Sequence, residues 1–428
     1  METIEAYLER KHCELRLLND CLSHRLDLTR PRSVDEGVAS KFRITAALRA
    51  EHELQAWKAT ETSWSLAAKP VSGPFEFRYD YQRADLTVCG PSFYEFEGSG
   101  MSKAIYTASG MAAISAVLLA SAQIVEKADL LVLPGSYGET LELIKGLVPH
   151  LRLAALSLPL GDAFASANSP KILLLDSCAL AGAFEAAVRS DGSGLDFMIF
   201  DTTCFAGSSG RIRRVLSWAR RYGIPLVLVR SHNKLDSLGA EYGRLGSAVF
   251  VQGNDDRQRA GRHDWRPLEA ETRNAVRLLG GAALPAHFPP FVGSAAYRDL
   301  TKRRVAAILR NGRSTARYFA ARLPALSAEL HFAHGLYVTL RGSRPLDEAS
   351  ARQAAEDMSN ELRAEGLPIR HAGSFGFDFA ATEWFHDATT DQYSVRVAVS
   401  DLPTQVWDDL TAAIARWWQV RQSRGGGG

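Results

Sequence analysis

The chain has 428 residues, of which 46% are hydrophobic and 23% charged, with a formal net charge of +2. That length exceeds what one core usually serves and predicts two domains of an ordinary soluble protein, while the near-neutral charge supplies no global field for nucleic acid or an anionic membrane. Five cysteines, odd in number and without a CxxC pair, point away from a disulfide framework or a zinc site and towards reduced thiols in a cytoplasm.

Met1 is followed by a polar, charged stretch, so no secretory signal is expected, and no apolar run is long enough to span a bilayer. Residues 1–70 read mostly as helix, with Leu8, Leu15, Leu18 and Leu22, then Ile44, Leu48 and Trp57, near helical spacing. Residues 74–100 are aromatic and irregular. From 101 to about 250, short apolar strands (104–107, 130–133, 172–175, 197–200, 226–229 and 248–251) alternate with helices, among them 112–122, 139–147 and 211–222. Continuous apolar strands between helices predict a parallel sheet covered on both faces, with ligands at the carboxyl ends of its strands.

Residues 252–265 read as an exposed polar loop, 268–282 as helix, and 297–323 as a long helix entering a second domain. That domain has strands near 336–340, 369 and 394–399 and a closing helix over 405–420; elements that do not alternate cleanly suggest α+β. The expected organisation is an N-terminal helical extension (1–74), a large domain (75–290) and a C-terminal α+β domain (291–424). Gly425 to Gly428 reads as a tail.

Lys234 lies in Arg230-Ser231-His232-Asn233-Lys234, directly after an apolar strand, in a chain poor in lysine. Losing water there lowers an amine's pKa and suits Schiff-base chemistry; a solvated lysine after a strand is the plainer reading. Asp201 ends the strand before it. A strand-end lysine and a strand-end aspartate in one parallel sheet suit pyridoxal 5'-phosphate (PLP), the lysine holding the aldehyde and the aspartate the pyridinium nitrogen. Ser109-Gly110-Met111 is a strand–turn–helix junction: Ser109 suits a helix cap, and the amides of Gly110 and Met111 suit a phosphate. Tyr137, in another such turn, suits stacking on a flat ring or a structural turn. Arg396 alternates with Val395 and Val397 on a strand and needs a carboxylate, from a substrate or from within the protein.

Together these features resemble fold-type-I PLP enzymes, most closely the Cys/Met-metabolism family of cystathionine γ-synthase, cystathionine γ-lyase and methionine γ-lyase. The resemblance covers about residues 75–400 and implies an α/β fold: a large, mostly parallel-sheet domain and a smaller α+β C-terminal domain. Tyr81-Gln82-Arg83 resembles the family's Tyr-Ser-Arg, whose tyrosine and arginine reach the cofactor phosphate of a neighbouring subunit. Ser109-Gly110-Met111 resembles its phosphate turn, and Tyr137-Gly138-Glu139-Thr140 the turn of its ring-stacking tyrosine. Asp201-Thr202-Thr203 resembles its Asp-Asn-Thr, with Thr203 beside the ring. Ser231-His232-Asn233-Lys234 resembles its Ser-x-Thr-Lys, with Ser231 on the phosphate. The Arg396 strand resembles its carboxylate-binding strand, and the loop bearing Ser374 loosely resembles its substrate-side loop.

Three departures stand out. Asp176-Ser177-Cys178 replaces the family's asparagine-bearing segment, Asn233 replaces a phosphate-binding hydroxyl, and a whole helix separates Asp201 from Lys234. The resemblance implies elimination or replacement at the β- or γ-carbon of an amino acid, with Lys234 as base and Tyr137 as acid, in a homodimer or homotetramer without metal, nucleic acid or membrane. The long segment before Lys234 keeps an aminotransferase open. A non-catalytic binding protein on the PLP fold is the third reading.

Overall fold

The order of elements follows the apolar pattern. Helices α1 (Ile4–Asn19) and α2 (Val34–Trp57) precede a small antiparallel sheet of β1 (Val71–Ser72), β2 (Phe75–Arg78) and β3 (Thr87–Cys89). Then come β4 (Ile105–Thr107), α3 (Gly110–Ala120), β5 (Ala128–Val132), α4 (Gly138–Leu147), β6 (Leu151–Ala155), β7 (Lys171–Asp176), α5 (Ala181–Arg189), β8 (Phe197–Asp201), α6 (Gly210–Tyr222), β9 (Leu226–Ser231), β10 (Gly246–Val251) and α7 (Leu268–Leu278). The remainder is α8 (Ala295–Arg322), β11 (Ala328–His331), β12 (Tyr337–Leu340), α9 (Glu348–Ala364), β13 (Ile369–His371), β14 (Ala380–Asp387), β15 (Gln392–Ala398) and α10 (Thr404–Arg424). This computed structural model describes residues 2–57, 71–78, 87–95, 100–165, 169–252, 263–323, 328–331, 335–342, 344–387 and 391–424.

The chain forms two compact units, one of Arg49–Asp236 with Tyr242–Gly293, the other of Met1–Leu48 with Ser237–Glu241 and Ser294–Gly428. In the first, seven strands lie in the order β4-β10-β9-β8-β7-β5-β6. Strands β5 to β9 pair in parallel, and β10 runs antiparallel to both β4 and β9. The sheet is mostly parallel, as the continuous apolar runs require. Its core joins Leu130, Ile172, Ile199 and Val227 with Ile114 and Val117 of α3. Several elements of this unit lay outside the expectation, among them β2 and β3 in the stretch read as irregular. Edge strand β6 is only partly buried, and α5 buries one narrow face through Ala183, Phe184, Ala187 and Val188. Within the expected exposed loop, Trp265 is a correction: it is buried and stacks on Phe197 at 4.6 Å. The large aromatic turns into the core while its neighbours His263, Asp264 and Arg266 stay exposed.

The second unit carries a five-stranded sheet of order β11-β12-β15-β14-β13, antiparallel except for β13–β14. Helix α9, hidden in the sequence by its charges, faces this sheet with Ala351, Ala354, Ala355 and Met358 buried. Residues 1–48 belong to this unit and do not stand by themselves, because α1 is anchored by buried charges. Lys11 Nζ lies 2.7 Å from Asp401, 2.8 Å from Asp378 and 3.0 Å from Glu14. Arg10 reaches Asp401 at 2.5 Å, Lys41 reaches Asp378 at 2.6 Å, and Arg304 binds Asp378 and Asp401. Burial would raise the Asp401 carboxyl, but Arg304, Lys11 and Arg10 hold it well below the carboxylate range. Among the described residues no helix is long and apolar enough to cross a membrane.

Removing one member of such a network strands the others' charges. Asp401→Asn is expected to destabilise the protein by about 3–5 kcal/mol in urea unfolding. A change within the error of that measurement would show that the network contributes little.

Candidate active site

Strands β7, β8 and β9 end side by side. Asp176 pairs in register with Asp201, and Asp201 with Val229, which puts Ser231 at the same edge two residues on. Gly246, at the start of the antiparallel β10, pairs with both Ser231 and Thr107. The turn after Thr107 is thereby brought beside the end of β9, although 120 residues separate them in sequence.

That turn is Ser109-Gly110. Ser109 caps α3, its Oγ accepting from Ala112 N at 3.0 Å. A Cβ on Gly110 would sit 2.8 Å from Ser231 Cβ, and one on Gly246 only 2.2 Å from Ser109 O. Both glycines are therefore set by close approach. The outcome is a helix N-terminus, with first-turn amides lacking intrahelical partners, beside a serine side chain. Met111 follows in the first turn, and its Sδ accepts from Thr140 Oγ1 at 3.8 Å, linking the starts of α3 and α4.

Asp176, which stands where the resembled family has an asparagine-bearing segment, organises the next turn. Its two carboxylate oxygens accept from Tyr137 N at 2.8 Å and Cys178 N at 2.7 Å, so it fixes the backbone of Tyr137 at the start of α4. Asp201 Oδ1 accepts from Thr203 N at 2.7 Å, and Thr203 Oγ1 accepts from Ser231 N at 3.0 Å. Burial first, and then the neighbouring Asp176, push the Asp201 carboxyl up to about 7. The site thus holds a buried acid whose charge is poorly compensated. All five cysteines are free, and the buried Cys178 and Cys204 sulfurs lie 3.5 Å apart.

Lys234 lies in the turn after β9 and is half-buried. The residues around it are held more firmly than the sequence suggested. Arg230 makes a fork to Asp236, His232 Nδ1 lies 2.7 Å from Asp236 Oδ2, and His232 Nε2 lies 2.8 Å from Ser247 Oγ. Phe93 stacks on the His232 ring at 3.8 Å. Burial would raise Asp236, but Arg230 and His232 hold it at about 2. No motif marked this knot; a buried arginine at the end of an apolar strand was the available signal.

Arg396 and Ser374 belong to the other unit. Arg396 pairs with Glu383 across β14–β15 at 2.7 Å and packs over Phe385 and Tyr337. An internal carboxylate is thus its partner here. Ser374 follows Gly373, where a Cβ would approach Glu383 Oε2 to 3.3 Å, so the Ser374 loop adjoins that pair. Tyr81 and Arg83 lie outside the described residues.

No family model matches the sequence, and no curated protein matches it. Solved structures do. Cystathionine gamma synthase from Xanthomonas oryzae pv. oryzae, in complex with cystathionine, matches at 18% identity and TM-score 0.50, over 74% of this chain and 82% of that one. A protein from Campylobacter jejuni subsp. jejuni described as an O-acetylhomoserine (thiol)-lyase, with a pyridoxyl-lysine monophosphate, matches at 15% identity and TM-score 0.50, over 75% and 82%. The chain has the fold-type-I fold. At these identities the likeness is one of architecture, and the chemistry has to be argued from the residues.

The raised Asp201 carboxyl has a measurable consequence. A group whose folded pKa lies above its unfolded value stabilises the fold fully below about pH 4, and that contribution is lost as pH rises through about 7. In the ligand-free protein, Asp201→Asn is therefore expected to raise the melting temperature at about pH 8 and to change it little at about pH 4. Equal effects at both pH values would show that Asp201 is adequately paired.

Proposed function

We propose that the protein is a PLP-dependent enzyme acting on an α-amino acid with a β- or γ-leaving group, by elimination or replacement. One observation carries the reading: a glycine-tight helix N-terminus, Ser231, the buried Asp201 and the Lys234 turn share one edge of a single sheet. These groups suit the parts of PLP, an anionic phosphate, a ring nitrogen that carries a proton, and an aldehyde. When bound, PLP supplies an electron sink for the carbanion at the substrate α-carbon.

The remaining work falls to the chain. The amides of Gly110 and Met111, with the Ser231 hydroxyl, hold the phosphate. Asp201 holds the proton at the ring nitrogen, and that cation lowers the cost of burying its carboxylate. Tyr137 would stack on the ring and Thr203 would stand beside it, as the resemblance implies. Lys234 Nζ would hold the aldehyde carbon and, when free of it, would take the α-proton as general base. The Tyr137 hydroxyl protonates the departing group. Arg396 takes the α-carboxylate in competition with Glu383, aided by Ser374. Tyr81 and Arg83 serve the phosphate of a second subunit in a homo-oligomer.

The cofactor assignment is tested by borohydride reduction and peptide mapping, expected to find the pyridoxyl group on Lys234. Attachment elsewhere, or no bound PLP, would end this reading. The reaction is then sought with a panel of amino acids carrying β- or γ-substituents, scoring release of ammonia and a 2-oxo acid and incorporation of added thiols. Amino transfer to a 2-oxo acid without ammonia release would favour an aminotransferase, the alternative suggested by the 13-residue α6 between β8 and β9.

Arg396→Ala separates substrate from cofactor. It is expected to retain PLP on Lys234 while weakening amino-acid binding by roughly 2–5 kcal/mol, about thirty- to several-thousand-fold. Arg396→Lys should restore little, because the fork is lost. Unfolding of Arg396→Ala would mean that the pair with Glu383 is structural, and normal amino-acid binding would remove Arg396 from the mechanism.

A further inference from the structure

Arg230 lies on β9 four residues before Lys234 and is buried, with a relative exposure of 1%. Its Nε and Nη2 donate to the two carboxylate oxygens of Asp236 at 2.7 Å each. Its Nη1 donates to the carbonyls of Thr202 at 2.8 Å and Phe205 at 2.7 Å. Thr202 to Phe205 is the turn that begins immediately after Asp201, and Asp236 stands two residues after Lys234. One planar guanidinium therefore bonds both turns. The first is braced again by Tyr94, whose hydroxyl meets Thr202 Oγ1 at 2.8 Å, and the second by His232 between Asp236 and Ser247.

The two turns carry the groups assigned to opposite ends of one flat ring, Asp201 at the nitrogen and Lys234 at the aldehyde. A rigid ring fixes how far apart those groups must be, and a parallel sheet sets the spacing of its strands but not of the turns beyond them. We propose that Arg230 is a positioning residue that sets the separation of Asp201 and Lys234, so that Lys234 reaches the aldehyde of a ring already seated on Asp201. This rests on the PLP reading above. A lysine at the same position would keep a charge but not the fork, and could not hold both turns.

The test separates seating of the ring from its capture by lysine. Pyridoxamine 5'-phosphate has no aldehyde and reports seating alone; borohydride trapping of PLP on Lys234, followed over time by peptide mass, reports capture. Two variants are compared with the wild type: Arg230→Lys, and the double variant Arg230→Gln with Asp236→Asn, which removes both charges together and leaves neither uncompensated in the interior. Both are expected to fold by circular dichroism and to bind pyridoxamine 5'-phosphate as the wild type does. Both should trap PLP on Lys234 about a hundredfold more slowly, the order of loss for a misplacement of about 1 Å. Trapping at the wild-type rate in a folded variant overturns the inference while leaving the cofactor reading intact. Loss of pyridoxamine 5'-phosphate affinity in parallel with trapping, or failure of both variants to fold, also overturns it, since Arg230 would then be a general structural support. A wild-type protein that traps no PLP on Lys234 overturns the proposed function and this inference with it.

Discussion

Taking a carboxylate out of water is costly unless a cation or a proton comes with it. The chain buries several carboxylates and treats them differently. Asp401 and Asp378 are embedded among Arg10, Lys11, Lys41 and Arg304, and Asp236 is gripped by Arg230 and His232; all three stay ionised. Asp201 receives hydrogen bonds from Thr203 and attraction from Arg230, but these do not offset its burial and the like charge of Asp176, and it is pushed up towards neutrality. The compensated aspartates hold the protein together. The under-compensated one, at the ligand-binding edge of a parallel sheet, is where a cationic partner has most to contribute.

The same edge shows how a cradle is made from backbone. Gly110 and Gly246 sit where any side chain would strike Ser231 or Ser109, so the N-terminus of α3 can approach the end of β9 closely. The antiparallel β10 makes this possible, because its first residue pairs with the ends of both neighbours. Ser109 caps the Ala112 amide, and helix geometry leaves the amides of Gly110 and Met111 without intrahelical partners.

The departures from the Cys/Met-metabolism pattern acquire physical content in the fold. Where the resemblance led to an asparagine, Asp176 instead shapes the turns of Tyr137 and Cys178 through two backbone amides. Asn233, in place of a hydroxyl, accepts from Leu245 N at 3.3 Å and ties the Lys234 turn to the approach of β10. These substitutions brace the edge, and Asp176 also helps to raise the Asp201 carboxyl.

Much of the sheet was legible in the sequence. Runs such as Leu226 to Val229 are short and apolar at every position, as a strand buried on both faces is, so the alternation of strands and helices, the strand-end positions of Asp201 and Ser231 and the place of Lys234 just beyond follow from hydrophobic burial and length. What long-range packing decided was hidden, because pairing partners far apart leave no periodic trace. The register that sets Gly246 against Ser231 and Thr107, the pairing of Arg396 with Glu383, the burial of Trp265 and the inclusion of α1 with the C-terminal residues are of this kind. So is the reach of Arg230 from one turn to the other. A buried charge shows in the sequence only as an anomaly; which group relieves it is fixed by the tertiary structure, since Coulomb attraction acts through space and depends on a few ångströms.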